Sequence, residues 1–154
     1  MPLVERVGWL GIVTVTVERG GRVVRRDQFR NLITDAGVDL LAAALLGIPA
    51  TIGAVAVGTD DTAPAVGDVL LGAEAWRDAP VDAELTGPGT IHTRVYVPQA
   101  EANVAIRELG WFAGPAADPL VPDTGELIAR VLYAHDKQAD ETLYIDRTDI
   151  IGRA

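Results

Sequence analysis

Gly8 to Val17 reads GWLGIVTVTV and is followed by Glu18-Arg19-Gly20-Gly21 and Arg22 to Phe29, RVVRRDQF. From Ile12 to Val17 valine and threonine alternate. A period of two places successive side chains on opposite faces of a pleated strand, so this segment predicts a strand buried on one side. The Gly-Gly pair tolerates the positive φ of a tight turn, and the alternating segment after it predicts a return strand, giving an antiparallel hairpin.

The rest of the chain repeats the strand signal with one interruption. Asn31 to Gly47 predicts a helix: Thr34 is a candidate N-cap, and Asp35 suits the positive first turn. Val38, Leu41 and Leu45, with neighbouring Leu40, Ala44 and Ile48, form an apolar stripe expected to pack on a sheet. Gly47 stands where a C′ glycine would, and Pro49 blocks continuation. Ile52 to Val57 predicts a short buried strand, and Gly58 to Asp68 a loop of turn formers. Further strands are expected over Ala73 to Ala83, Thr90 to Val97, Val104 to Phe112, Glu126 to Tyr133 and Thr142 to Ile151. They are separated by a turn at Gly87-Pro88-Gly89, a proline-containing loop from Gly114 to Gly125, and a polar turn over Asp136 to Asp140. This spacing predicts a mainly β chain with one α-helix, an antiparallel β-sandwich or barrel-like domain with the helix packed against it. Residues 1–7 read as an unpaired N-terminal arm and residues 8–154 as a single β-rich domain.

Composition bounds the chemistry. The chain has 154 residues, no Cys and no Ser, and its net charge is −9 from 22 acidic and 13 basic residues, all but Lys137 of the latter arginine. Thiolate metal sites, Cys nucleophiles and Ser triads are thereby excluded. The acidic balance disfavours nucleic acid. No segment reads as a targeting signal or a membrane span, so a soluble chain is expected.

The remaining polar groups do not spell a reaction. His92 and His135 lie on different predicted strands and read as structural or surface histidines. Asp60, Asp61 and Asp68 share a loop and could offer oxygens to calcium, but Asx-turns and capping explain them equally well. Glu74, Asp78, Asp82 and Glu84 would need to face one another across a cleft to act as paired carboxylates. Arg22, Arg25, Arg26 and Arg30 form the one basic cluster, either a solvated strand face or a site for a phosphate or acidic partner. Trp9, Trp76 and Trp111 read as core or subunit-interface residues, with a sugar-stacking platform as the alternative. No phosphate-binding glycine motif is present. The expectation is a non-catalytic protein without cofactor or metal.

Five segments in order carry a family resemblance. They are Asn31-Leu32-Ile33-Thr34-Asp35-Ala36-Gly37; Ala56-Val57-Gly58-Thr59-Asp60-Asp61-Thr62-Ala63-Pro64; Asp68, Leu71, Glu74 and Arg77 in D-x-x-L-x-x-E-x-x-R spacing; Glu108-Leu109-Gly110-Trp111-Phe112; and Gly125-Glu126-Leu127-Ile128-Ala129-Arg130. This order resembles a family of small virion structural proteins of tailed bacteriophages, either head decoration (auxiliary capsid) or tail-associated proteins. The resemblance implies a compact β-rich domain, often a homotrimer, that binds a capsid or tail surface without catalysis. On that reading Gly58 and Gly110 serve backbone geometry, and Glu74 with Arg77 forms a structural ion pair if the segment turns there. A decoration protein would cement major capsid subunits on the outer head surface, made in the host cytoplasm, with no nucleic-acid or membrane partner. In the arm, Leu3 and Val4 are candidate apolar anchors, and Glu5 and Arg6 candidate rim contacts to a neighbouring subunit. A tail, baseplate or fibre component, a carbohydrate-binding module and a small carboxylate hydrolase are the competing readings.

Overall fold

A computed structural model of the chain describes residues 6–153. Its strands are β1 (Val7–Arg19), β2 (Arg22–Arg30), β3 (Leu32–Ile33), β4 (Ile52–Gly58), β5 (Glu74–Asp78), β6 (Asp82–Gly87), β7 (Thr90–Val97), β8 (Ala105–Ala113), β9 (Glu126–Asp136) and β10 (Glu141–Arg153), with helix α1 (Asp35–Ala44) between β3 and β4. They build two five-stranded antiparallel sheets in the orders β2-β1-β10-β7-β6 and β3-β9-β8-β4-β5. The chain is therefore a mainly β sandwich with one helix, as the alternation and turn spacing imply. The β1–β2 turn uses Gly20 and Gly21 at φ +58° and +76°, values that L side chains rarely adopt. Val7, assigned to the arm by its sequence, belongs to β1 and faces Arg153 of β10.

One core lies between the sheets. Val13, Val15 and Val17 of β1, Val95 and Val97 of β7, and Leu143 and Ile145 of β10 pack against Val55, Val57, Leu109, Trp111 and Val131 of the second sheet. The first sheet buries only this inner face, so burial alternates along β1 and β10. The second sheet is covered on its outer face too, by the segments 59–73 and 114–125. Ala54, Ala56, Leu71, Phe112 and Leu127, with Ala117, form a second apolar cluster there. Burial on both faces explains why β4, β8 and β9 read as near-continuous apolar runs.

Two elements differ from the sequence pattern. The helix is shorter than 31–47. Leu32 and Ile33 pair instead with Arg130 and Ala129 of β9, and Thr34 caps α1, its hydroxyl accepting from Gly37 N at 3.0 Å and donating to Leu127 O. After Ala44, bonds from Leu45, Leu46 and Gly47 to carbonyls three residues back tighten the chain into a 3₁₀-like turn that ends with Gly47 at φ +90°. The predicted strand over 73–83 is two strands in different sheets, β5 and β6. Pro80 between them has no N–H to continue a ladder, and the chain crosses from sheet to sheet there.

A buried carboxylate fastens the outer layer. Glu108 of β8 is fully buried. Its Oε2 accepts from Arg130 Nε at 2.8 Å and Gly72 N at 3.0 Å, and its Oε1 accepts from Ala73 N at 2.8 Å. Arg130, itself buried, also contacts Asp68 at 3.2 Å. Gly58 and Gly110 show ordinary negative-φ backbone, so it is close approach that requires them. A Cβ on Gly58 would overlap the Glu108 carboxylate, and one on Gly110 would overlap Leu71. Glu108→Ala should cost about 3–5 kcal/mol in denaturant unfolding, because it leaves buried Arg130 with only the part-exposed Asp68 and the Gly72 and Ala73 N–H groups without an acceptor. Glu108→Leu/Arg130→Met should recover only part of that loss, because the Gly72 and Ala73 N–H groups stay unaccepted. Full recovery would show that the backbone bonds contribute little.

Candidate interaction surface

The D-x-x-L-x-x-E-x-x-R residues converge on the outer face of the second sheet, whereas Val57, Leu109, Trp111 and Ile128 of the other motifs face the core between the sheets. Asp68, Leu71, Glu74 and Arg77 all pack there, together with Glu108 and Arg130. Glu74 and Arg77 make a buried, two-pronged ion pair: Nη2 to Oε1 at 2.7 Å and Nε to Oε2 at 3.0 Å. In a regular strand residues three apart point to opposite faces. Here the register with β4 slips, Val57 facing Trp76 and Gly58 facing Glu74, and the bulge at Ala75 returns both side chains to one face. The Arg77 guanidinium lies 4.4 Å from the Phe112 ring centroid and donates from Nη1 to Asp118 O and Thr124 O at 3.0 and 3.1 Å. It thus pins the segment 114–125, as Glu108 pins 59–73.

The loop aspartates act on their own backbone. Asp60 accepts from Thr62 N at 2.6 Å and Asp68 from Ala65 N at 2.9 Å. Thr62, through its hydroxyl and its N–H, holds the Asp60 carboxyl below the ordinary value. Glu74 faces an arginine and Asp78 accepts from Ala79 N, so neither faces a second carboxylate as the hydrolase reading requires. Asp82, Glu84 and His92 gather potential ligand atoms within 4.8 Å at the surface of the first sheet. However, His92 Nε2 is 2.8 Å from Asp146, and Arg94, which faces Asp82 in register, already brings positive charge to the group.

The basic cluster is divided by strand alternation. Arg25 pairs with Asp27 at 2.6 Å and lies over the Tyr133 ring, whereas Arg26 and Arg30 face the other way on β2 and are exposed. His135 stacks on Tyr133 and contacts Glu141 at 3.1 Å. Trp111 is fully buried, and Trp9 and Trp76 are half-buried against the core, so none stands as an open sugar platform. Lys137 is buried and donates to Gln99 O and Asn103 Oδ1.

No protein-family model, curated protein or solved structure matches the chain.

What the surface does offer is apolar. Leu45 and Leu46, just past α1, are 89% and 87% exposed, and Val38 and Ile48 are about half exposed. Of the regular helix only Gly37 and Leu40 are buried, against β9. A stripe that reads as packed on a sheet is therefore largely outside it. α1 is apolar around more of its circumference than one sheet can cover. Of the proposed arm contacts, Leu3, Val4 and Glu5 lie outside the described residues, and Arg6 is exposed. Among the described residues no helix is long and apolar enough to cross a membrane.

Tyr133 gives the Arg25 cluster a spectroscopic handle. Burial is the main cause that pushes its phenol up to about 12 from 10. A raised folded-state value means that its contribution to stability is complete below pH 10 and lost as pH rises through about 12. Tyrosinate absorbance should therefore show one phenol titrating near 12. Tyr133→Phe should remove that step and flatten the alkaline loss of stability.

Proposed function

We propose that this chain is a non-catalytic structural protein of a tailed-phage virion, a decoration protein that docks on the outer head surface and bridges major capsid subunits as a homotrimer. The observation that carries the reading is the exposure of Leu45 and Leu46 together with a set of buried carboxylates that are each paired with an arginine rather than left free for chemistry. Glu74, Glu108, Asp68 and Asp149 are each engaged by an arginine, while large apolar side chains face solvent. Contiguous exposed apolar surface suits protein association better than chemistry. The mainly β sandwich with one helix agrees with the architecture that the family resemblance implies. The acidic charge suits a position away from packaged DNA, and several weak contacts on a symmetric oligomer would add by avidity.

The test is quantitative mass spectrometry of purified particles from a host carrying this gene, combined with Leu45→Ser/Leu46→Ser. Several hundred copies per particle are expected. A few copies would move the protein to the tail, and none would overturn a virion role. The double variant should keep its unfolding free energy within about 0.5 kcal/mol, because both side chains are already in water. It should also lose particle binding and lower the heat resistance of the particles.

A further inference from the structure

At the α1 end of the sandwich a cavity of about 370 Å³ opens between the sheets. That is within the size range of small-molecule sites. Its walls are mostly apolar, with Leu40 and Leu41 of α1, Ile52 of β4, and Ile91 of β7 among them. Its polar floor is built from strand residues. Thr93 and Asp149 are 2% and 1% exposed and both line the cavity, yet Thr93 Oγ1 and Asp149 Oδ2 have no hydrogen-bond partner. They share the inner face of the first sheet, since Thr93 faces Arg147 in register and Asp149 is two residues further along β10.

The groups beneath the floor are partly paired, with Arg147 Nε and Nη1 also lacking partners. Asp149 Oδ1 accepts from Trp9 Nε1 at 2.7 Å and from Arg147 Nη2 at 2.5 Å. Arg147 is fully buried, with its guanidinium 5.1 Å from the Trp111 ring centroid and 5.9 Å from that of Trp9. One carboxylate oxygen is therefore held by two donors, and the other, on a residue that lines the cavity, has no partner. Buried polar atoms without partners are costly, and a cavity that supplies the missing partner recovers that cost.

We infer that this cavity binds a small neutral molecule with an apolar body and a hydroxyl head, the hydroxyl donating to Asp149 Oδ2 and accepting from Thr93 Oγ1. Asp149 Oδ2 asks for a donor and the Thr93 hydroxyl offers one, so a hydroxyl head, which both donates and accepts, suits the pair. The Arg147–Asp149 pair is balanced in charge and buried, so stripping water from an ammonium at the floor costs more than the exposed Glu84 returns, and a neutral head fits better. A carboxylate would meet Asp149 on the floor and Glu84 in the lining. This site does not depend on the virion reading.

The test is titration of the full chain with 1-octanol, octanoate and octylammonium, read by Trp9 fluorescence and by ligand-observed NMR. Saturable binding of 1-octanol is expected, at least tenfold tighter than octanoate and tighter than octylammonium. Thr93→Val keeps the side-chain shape and removes the hydroxyl, and should weaken 1-octanol about threefold to tenfold. Ala50→Leu, which grows a side chain into the cavity, should abolish binding while circular dichroism stays unchanged. Asp149→Asn is a poorer probe because it disturbs the Arg147 pair. Absence of saturable 1-octanol binding would overturn the inference. So would equal affinity for octanoate or octylammonium, or unchanged affinity in both Thr93→Val and Ala50→Leu.

Discussion

The Glu108 carboxylate is the contact on which the outer half of this fold depends. A charge buried in an apolar sheet is tolerable only when its lone pairs are filled, and Glu108 fills them with an arginine from β9 and backbone N–H groups from the segment 59–73. That segment has no strand pairing of its own to hold it. Fastened at Gly72 and Ala73, it delivers Leu71 onto Phe112 and Leu127. Gly58 makes room for the carboxylate and Gly110 for Leu71, so two glycines, one acid and one leucine form a single geometric constraint. The Glu74–Arg77 pair repeats the logic a strand further out, with Arg77 holding the other covering segment by its carbonyls.

How much of this was legible follows from which face each strand shows to water. The valine–threonine alternation of β1 reads directly as a half-buried strand, because the first sheet is solvated on one side. β4, β8 and β9 read as strands, but nothing in a continuous apolar run tells what covers its second face. The clue was Glu108 itself, a lone acid inside VAIRELGWF, which can be buried only if a cation and donors come to it from elsewhere in the chain. The Glu74–Arg77 pair was legible as a possibility and hidden as a geometry, since a bulge decides whether residues three apart in a strand meet. Pro80 marked the crossing between sheets, yet the apolar and charged residues around it continued a strand pattern on both sides. For α1 the cap was readable at Thr34, a local interaction. Burial was not, because it depends on how little of the helix β9 can cover.

The inner face of β10 presents the opposite case. Leu143, Ile145, Arg147 and Asp149 all face the core, so one strand runs from an apolar half into a charged half without changing face. Burial pulls the Arg147 pKa down, and Asp149 opposes that shift. Two ionised groups in a core that could hold leucines bring no evident gain in stability. Local rules are broken most often where a site is built. The break falls at the end of the sandwich that stays open, beside the cavity, whereas the apolar half of β10 packs against a filled core. The arrangement therefore joins a stabilising half and a binding half on a single strand.

The same division governs how copies of this chain could meet other surfaces. With a net charge of −9, two copies repel at long range. Any association through Leu45 and Leu46 must overcome that repulsion by short-range apolar burial alone. Salt screens charges separated by more than about 10 Å at 0.1 M and leaves apolar contacts in place. Self-association through the α1 end should therefore strengthen as salt is added. Docking on a positively charged capsid face should weaken, because there the long-range term is attractive. Opposite salt responses in sedimentation and in particle binding would separate the two contacts. If both strengthened with salt, the partner surface would have to be acidic or apolar, and charge complementarity would have no part in placing the protein.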